Sequence, residues 1–213
     1  MSAADAPAGP HGERPQTLLV LGARGDLTKR LLLPGLGSLV AASGLTGPHL
    51  VGSDRGEGSD EEWRALVARA FSEGDASGAA VDAVVRDTRY VAADAAGADD
   101  LRGLLASCGG RLTLYFALPP AVTVEACRTL ARIGVPEGTR LVLEKPFGTD
   151  AASATALNEL LHSFVPEDHV TGRGVGRDAG RAHRTSPSTS DTASSAPRPR
   201  CAPPWTRHCA NTA

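Results

Sequence analysis

The sequence predicts an α/β fold, a doubly wound and mostly parallel sheet with helices on both faces, followed by a tail outside the packed domain. Three observations point there. Short uninterrupted apolar runs, which suit strands buried on both faces, alternate with helix-like patterns from Thr17 to Val170. Two glycines, Gly22 and Gly25, fall at the first junction between the two patterns. Beyond Val170 the composition changes, because residues 171–213 hold no Leu, Ile, Phe, Tyr or Lys and are dense in Arg, Ser, Thr and Pro. Such a stretch cannot build a core. The expected organisation is a disordered lead-in over 1–16, a packed domain over 17–170 and a disordered or off-frame tail over 171–213.

The elements follow in order. Thr17-Leu-Leu-Val-Leu21 suits a central parallel strand, and Gly22 lets the chain turn sharply after it. Gly25 removes a second side chain, so the expectation is that backbone N–H groups lie open to an anion where a helix begins near Leu27. This is a phosphate-binding turn of the kind that takes a dinucleotide, with Thr28 standing where the full G-x-G-x-x-G pattern has its third glycine. Lys29 to Ala42 carries Leu31, Leu32, Leu36 and Leu39 toward one helical face. Pro34 and Gly35 interrupt it, so a first turn, a kink and a continuation are expected.

Gly44 to Pro48 is a loop, and His49-Leu-Val-Gly-Ser53 is a second strand. Asp54, Arg55 and Gly56 lie just beyond its end, where a doubly wound fold places an adenosine ribose. Arg55 can hold a 2′-phosphate there as a bidentate ion pair, whereas Asp54 can accept from an unphosphorylated ribose. The position of Arg55 tips the expectation toward NADP over NAD. Ser59-Asp-Glu-Glu62 is a capping box, and the helix it opens carries Trp63, Leu66, Val67 and Ala70 on one face.

Ala79 to Arg86 is a further helix, leading into Arg89-Tyr-Val-Ala-Ala93 as a third strand. Asp94 ends that strand, either as a cap for the next helix or as a wall of the adenine pocket. Asp99 to Ser107 is helical, Gly109-Gly110 stops it, and Arg111 to Leu118 is the clearest strand of the chain. Pro119-Pro120 closes it at the carboxyl edge as a rigid crevice, with a cis bond as one way to build it. Thr123 to Ile133 is a helix closed by Gly134, and Thr139-Arg-Leu-Val-Leu143 is a fifth strand. It runs into Glu144-Lys-Pro-Phe-Gly148, where Pro146 fixes Lys145 at a point where cofactor and a phosphorylated or polyhydroxy substrate could meet. Asp150 to Phe164 is a capped helix with Leu157, Leu160 and Leu161 inward.

Charge and composition exclude several classes. A net charge of -2 over 213 residues gives no sign of nucleic-acid binding, and the length suits one sizeable domain with an appendage. There is no apolar run of about 18 residues for a membrane span. The lead-in Met1 to Gln16 has no apolar signal core, so a cytoplasmic protein is expected. Cys108, Cys127, Cys201 and Cys209 lack C-x-x-C spacing, so neither a zinc site nor a disulfide framework is expected. The Cys201, His208 and Cys209 cluster is ascribed to chance, and adjacent Asp168 and His169 receive no role.

GARGDLTKRLLLP, the YFALPP strand end and EKPFGTD, in this order and at these separations, resemble the N-terminal coenzyme domain of the glucose-6-phosphate dehydrogenase family. EKP is similar also to a wider family of sugar oxidoreductases with a Rossmann domain, which GDLTKRLLLP does not suit. The resemblance covers roughly Thr17 to Val170. It implies a Rossmann-like NADP-binding domain and oxidation of the C1 hydroxyl of glucose 6-phosphate to 6-phosphogluconolactone, the entry to the pentose phosphate pathway. Under it, Gly22, Ala23, Arg24, Gly25, Asp26 and Leu27 match the pyrophosphate turn, with Arg24 at a position that varies in the family. Arg55 matches the arginine on the 2′-phosphate, and Asp94 lies near the adenine wall. Leu118 and Pro119 line the nicotinamide side, and Lys145 touches both cofactor and sugar.

The chain then departs from the family pattern. PEDHV is not followed by a stretch like RIDHYLGK, which supplies contacts to the substrate phosphate, nor by the sheet domain with the histidine that takes the C1 proton. The tail is accordingly an off-frame translation of GC-rich DNA slipping near Val170, or a natural disordered tail. The other frames of the gene decide between them. No catalytic residue and no metal ligand is assigned, and turnover by this polypeptide alone is not expected. A homo-oligomer is expected only of a full-length family form. The alternatives are a catalytically silent NADP-binding or interaction protein and another Rossmann sugar oxidoreductase.

Overall fold

A computed structural model describes residues 16–43, 47–144 and 151–173. The expectations placed on residues 1–15, on Lys145 and Pro146, and on the chain beyond 173 lie outside the described residues. Those described fall in the first of two compact units, Met1–Val175. The second, Gly176–Ala213, lies outside the description.

Six strands form one parallel sheet in the order β3-β2-β1-β4-β5-β6. They are β1 Gln16–Leu21, β2 His49–Asp54, β3 Arg89–Ala92, β4 Arg111–Phe116, β5 Arg140–Glu144 and β6 Val170–Arg173. Between them run α1 Leu33–Ser43, α2 Asp60–Glu73, α3 Ala79–Asp87, α4 Ala98–Ala106, α5 Pro120–Ile133 and α6 Ala151–His162. The fold is the doubly wound, Rossmann-like α/β class read from the apolar runs. None of the described helices is long and apolar enough to cross a membrane.

Side chains alternate across each strand, which divides the core into two layers. On β1, Leu19 and Leu21 join the layer formed with Leu101, Leu104, Leu130, Leu157 and Leu161, from α4, α5 and α6. Val20 joins the opposite layer with Leu33, Val40, Trp63, Val67, Phe71 and Val84, from α1, α2 and α3. Burial on both faces is why β1 is apolar without interruption. A fully buried leucine such as Leu114 contributes about 1.5–3 kcal/mol through lost water contact.

The kink expected at Pro34 is replaced by a π-helical turn over Thr28–Leu32, in which the Leu33 N–H reaches back to the Thr28 carbonyl. A proline lacks the N–H and crowds the carbonyl four residues earlier, and the wider turn just upstream accommodates it. The inserted residue also rotates the rest of the helix by about 100°. Consequently the expected leucine face is only half right, since Leu32 and Leu36 pack partly buried against the core but Leu31 and Leu39 do not. Leu33, Gly37 and Val40 are buried, whereas Leu31 and Leu39 are 63% and 65% exposed. Gly37 permits the contact with α2, since a Cβ there would stand 2.9 Å from the Phe71 ring.

Two boundaries also move. Thr171, Gly172 and Arg173 pair in parallel with Val142, Leu143 and Glu144, so the sheet runs three residues past the boundary expected at 170. An edge strand pairs through its backbone and needs few apolar side chains to do so. At the other junction α5 starts at Pro120, where a proline's fixed φ suits the first helical position, instead of at Thr123.

Candidate functional site

The strand order reverses between β1 and β4, and the turn after β1 sits at that point. Gly22 has φ +88°, and a Cβ on it would lie 2.3 Å from the Ala117 carbonyl oxygen. The glycine is therefore required by the neighbouring strand end as well as by the backbone conformation. Gly22 and Ala23 both donate their N–H to the Ser53 carbonyl, at 2.9 and 3.0 Å. The Gly25 N–H goes to the Gly22 carbonyl at 3.0 Å, and the Arg24 N–H to Asp54 Oδ2 at 3.3 Å.

This corrects the expectation of open amides at the two glycines, because all four turn amides are engaged inside the protein. The open ones come next. The first intrahelical bond runs from Lys29 N–H to the Gly25 carbonyl at 3.1 Å, so the amides of Asp26, Leu27 and Thr28 have no partner within the helix. That is the ordinary position for an anion at the positive end of a helix. Thr28, fully buried, donates its hydroxyl to the Gly22 carbonyl at 2.9 Å and closes the turn from within. The only signal of this in the sequence is a hydroxyl residue in the place of the third glycine.

At the end of β2 the Asp54 carboxylate accepts two backbone N–H groups, Arg55 at 2.8 Å on Oδ1 and Arg24 on Oδ2. It ties the glycine turn to the strand end. Arg55 is exposed. The Arg24 guanidinium lies 5.1 Å over the Tyr90 ring and donates to Glu62 Oε2 at 3.2 Å. With 38% and 67% of the two side chains exposed, solvent screens that ion pair to about 0.2–1 kcal/mol. Burial pushes the Tyr90 hydroxyl above its ordinary pKa; the Arg24 charge opposes this, and Asp54 and Glu62 add to it. The same hydroxyl donates to the Gly56 carbonyl at 2.5 Å.

The capping box is present as read. Ser59 accepts from the Glu62 N–H at 3.1 Å, and Glu62 Oε2 accepts from the Ser59 N–H at 3.2 Å. Between this first turn of α2 and the glycine turn lies a cleft of about 260 Å³, lined by Arg24, Lys29, Ser59, Glu62, Trp63, Leu66 and Tyr90. Sequence reading placed Arg24 in the turn but missed its pairing with a residue 38 positions away.

Asp94 follows β3 on the same carboxyl edge, half-buried. Its Oδ1 accepts the Ala96 N–H at 2.9 Å and its own N–H goes to Asp100 at 2.8 Å, while Gly97 occupies the cap of α4. Asp94 shapes the turn and does not cap the helix. After β4, Leu118 is half-buried with Cδ2 3.2 Å from where a Gly22 Cβ would stand, and Pro119 is exposed. Thr123 fastens this end, its hydroxyl within 3.3 Å of the Leu118 and 3.2 Å of the Pro119 carbonyl.

The structure thus brings Gly22 to Leu27, Asp54, Arg55, Asp94, Leu118 and Pro119 to one edge of the sheet. β5 ends at Glu144, which accepts from the Tyr115 hydroxyl, and Lys145 follows outside the described residues. Of the described thiols, Cys127 is fully buried and pushed up by burial to about 12, and Cys108 is also raised by burial. Among the described residues no three His, Cys, Asp or Glu side chains gather as a metal site requires.

Residues 19–171 match the family described as glucose-6-phosphate dehydrogenase, NAD binding domain. The glucose-6-phosphate 1-dehydrogenase of Rhizobium meliloti (strain 1021) is 32% identical over 166 residues, which cover 73% of this chain and 34% of that protein. That of Gluconobacter oxydans (strain 621H) is 34% identical over 171 residues, covering 73% and 34%. The crystal structure of glucose-6-phosphate 1-dehydrogenase from Mycobacterium avium matches with a TM-score of 0.66 at 22% identity, over 76% of this chain and 36% of that one. A glucose-6-phosphate dehydrogenase in complex with its substrate glucose-6-phosphate matches at 0.61 and 25% identity, over 76% and 37%. The chain spans about a third of the length of the curated relatives it matches.

Proposed function

The chain belongs to the glucose-6-phosphate dehydrogenase family, and on that footing we propose that it binds NADP at the carboxyl edge of β1, β2 and β4. The reaction it serves is oxidation of glucose 6-phosphate at C1 to 6-phosphogluconolactone. One observation carries this, the three amides of Asp26, Leu27 and Thr28 without helical partners at the point where strand order reverses.

Those amides and the positive helix end hold the diphosphate, with Gly22, Ala23, Arg24 and Gly25 shaping the turn that presents them. Arg55 takes the 2′-phosphate, Asp94 flanks the adenine, and Leu118 and Pro119 border the nicotinamide. Lys145 meets both coenzyme and sugar. The bound coenzyme supplies the hydride acceptor. NADP is favoured over NAD by the position of Arg55, exposed just beyond the end of β2 where the ribose lies.

Hydride transfer also needs a base for the C1 hydroxyl and groups that hold the sugar phosphate. No residue of this chain is assigned to either task, so the polypeptide on its own binds coenzyme without turnover. A cytoplasmic location goes with this reading.

Calorimetric titration of the full chain with NADP and NAD, wild type against Arg55→Ala, tests it. Tighter binding of NADP is expected, with that preference reduced in the variant. No binding of either coenzyme would remove the proposal. Reduction of NADP in the presence of glucose 6-phosphate would refute the absence of turnover.

A further inference from the structure

We propose that the Arg24 guanidinium joins Arg55 on the phosphate of the 2′-oxygen of the adenosine ribose, and that Glu62 holds the Arg24 guanidinium beforehand and competes with that phosphate for it. The inference rests on the coenzyme reading above and assigns a specificity pair within that site. Glu62 thereby sets how strongly the chain separates a phosphorylated from an unphosphorylated dinucleotide.

The surroundings of Arg24 are built to receive its side chain. Its N–H is fixed to Asp54 Oδ2 at 3.3 Å, so the side chain leaves the turn beside the end of β2, where a doubly wound fold places the ribose. The guanidinium then lies over Tyr90, 5.1 Å from the ring centroid, and Tyr90 is anchored to the Gly56 carbonyl. The loop between β2 and α2 leaves room for it. A Cβ on Gly58 would meet Arg24 Nη2 at 2.4 Å and the Tyr90 ring at 2.9 Å, and one on Gly56 would meet Nη1 at 3.2 Å. Neither glycine has the positive φ that would otherwise require one.

Only part of the guanidinium's capacity is in use. Its described hydrogen bond is one N–H to Glu62 Oε2 at 3.2 Å, whereas the group carries five donors in a planar fork. A phosphate accepts from that fork at two points and is the better partner. Glu62 loses little on release, because its oxygen keeps the Ser59 N–H at 3.2 Å. Its charge nevertheless remains on the same cleft of about 260 Å³ and opposes a second anion there.

The test is the ratio of NADP to NAD affinity, measured by calorimetry on the full chain for wild type, Arg24→Ala and Glu62→Gln, with 2′,5′-ADP and 5′-AMP as truncated probes. Arg24→Ala is expected to weaken NADP and 2′,5′-ADP by about tenfold to a hundredfold, the worth of a charge-assisted contact. NAD and 5′-AMP should change little. Glu62→Gln keeps a capping-box side chain at its position and should tighten NADP severalfold without affecting NAD. A gain in affinity cannot come from misfolding, so the second variant holds even where the first loses stability.

Equal losses for both coenzymes in Arg24→Ala, or an unchanged ratio in Glu62→Gln, would overturn this inference and leave the coenzyme reading standing. Failure of the wild-type chain to bind either coenzyme would overturn both.

Discussion

The Thr28 hydroxyl donates to the Gly22 carbonyl across 2.9 Å, from a side chain with no exposed surface. It links the first helical turn to the residue that follows β1, and so fixes the amides of Asp26 and Leu27 relative to the sheet. Thr28→Val keeps the shape and removes the bond. The expected cost is about 0.5–1.5 kcal/mol in urea unfolding, together with weaker coenzyme binding. Thr28→Ser should restore both, and wild-type behaviour of the valine variant would show the bond to be incidental.

Gly22 and Gly25 look alike in the sequence but differ in what they tolerate. A Cβ on Gly22 meets the Ala117 carbonyl oxygen at 2.3 Å and forces an L residue to φ +88°, whereas on Gly25 the nearest atom is the Gly22 carbonyl oxygen at 3.2 Å. Gly22→Ala should therefore cost more than about 2 kcal/mol, through a backbone clash and left-handed strain together. Gly25→Ala should cost less. Denaturant midpoints for the two variants in the reverse order would be incompatible with this account.

What the sequence discloses here is whatever local chemistry decides. The apolar runs Leu18–Leu21 and Leu112–Phe116 became β1 and β4 because burial on both faces demands them, and the Ser59–Glu62 capping box formed because its partners are three residues apart. Long-range or phase-dependent features stayed hidden. Leu31 and Leu39 lie on the outside because the π-helical turn before Pro34 shifts the register, which leucine spacing does not show. β6 extends through Thr171–Arg173 because backbone pairing is indifferent to the composition that marked a tail there. Gly22 looked bare for a ligand's sake, yet the Ala117 carbonyl belongs to a strand end almost a hundred residues away. The pairing of Arg24 with Glu62 needed the fold for the same reason.

A buried polar relay crosses the layer beneath the site. The Trp63 indole N–H donates to Thr88 Oγ1 at 2.8 Å, and the Thr88 hydroxyl donates to the Leu50 carbonyl at 2.8 Å. Thr88 has no exposed surface, so Thr88→Val leaves the indole N–H without its partner in the core. About 1–3 kcal/mol of stability should be lost, with a changed tryptophan environment. Intrinsic fluorescence through a urea transition reads both, and a variant with wild-type stability would mean that the indole finds another acceptor.

His49 makes the stability depend on pH, with a sign the geometry fixes. Burial holds its pKa below the ordinary 6.5, the Arg89 charge lowers it further, and Asp87 pulls the other way. Arg89 Nε donates to His49 Nε2 at 3.3 Å, so the imidazole accepts as the neutral form, and protonation would break that bond and set two cations side by side. As pH falls through 6.5 the unfolded chain takes up the proton before the folded one does, and stability declines until the folded His49 titrates as well. Thermal midpoints should therefore drop between about pH 8 and about pH 5, and the drop should be smaller in His49→Gln. Arg89→Ala removes the repelling charge and should raise the His49 pKa followed by proton NMR. A pKa that stays put in that variant would exclude Arg89 as a cause.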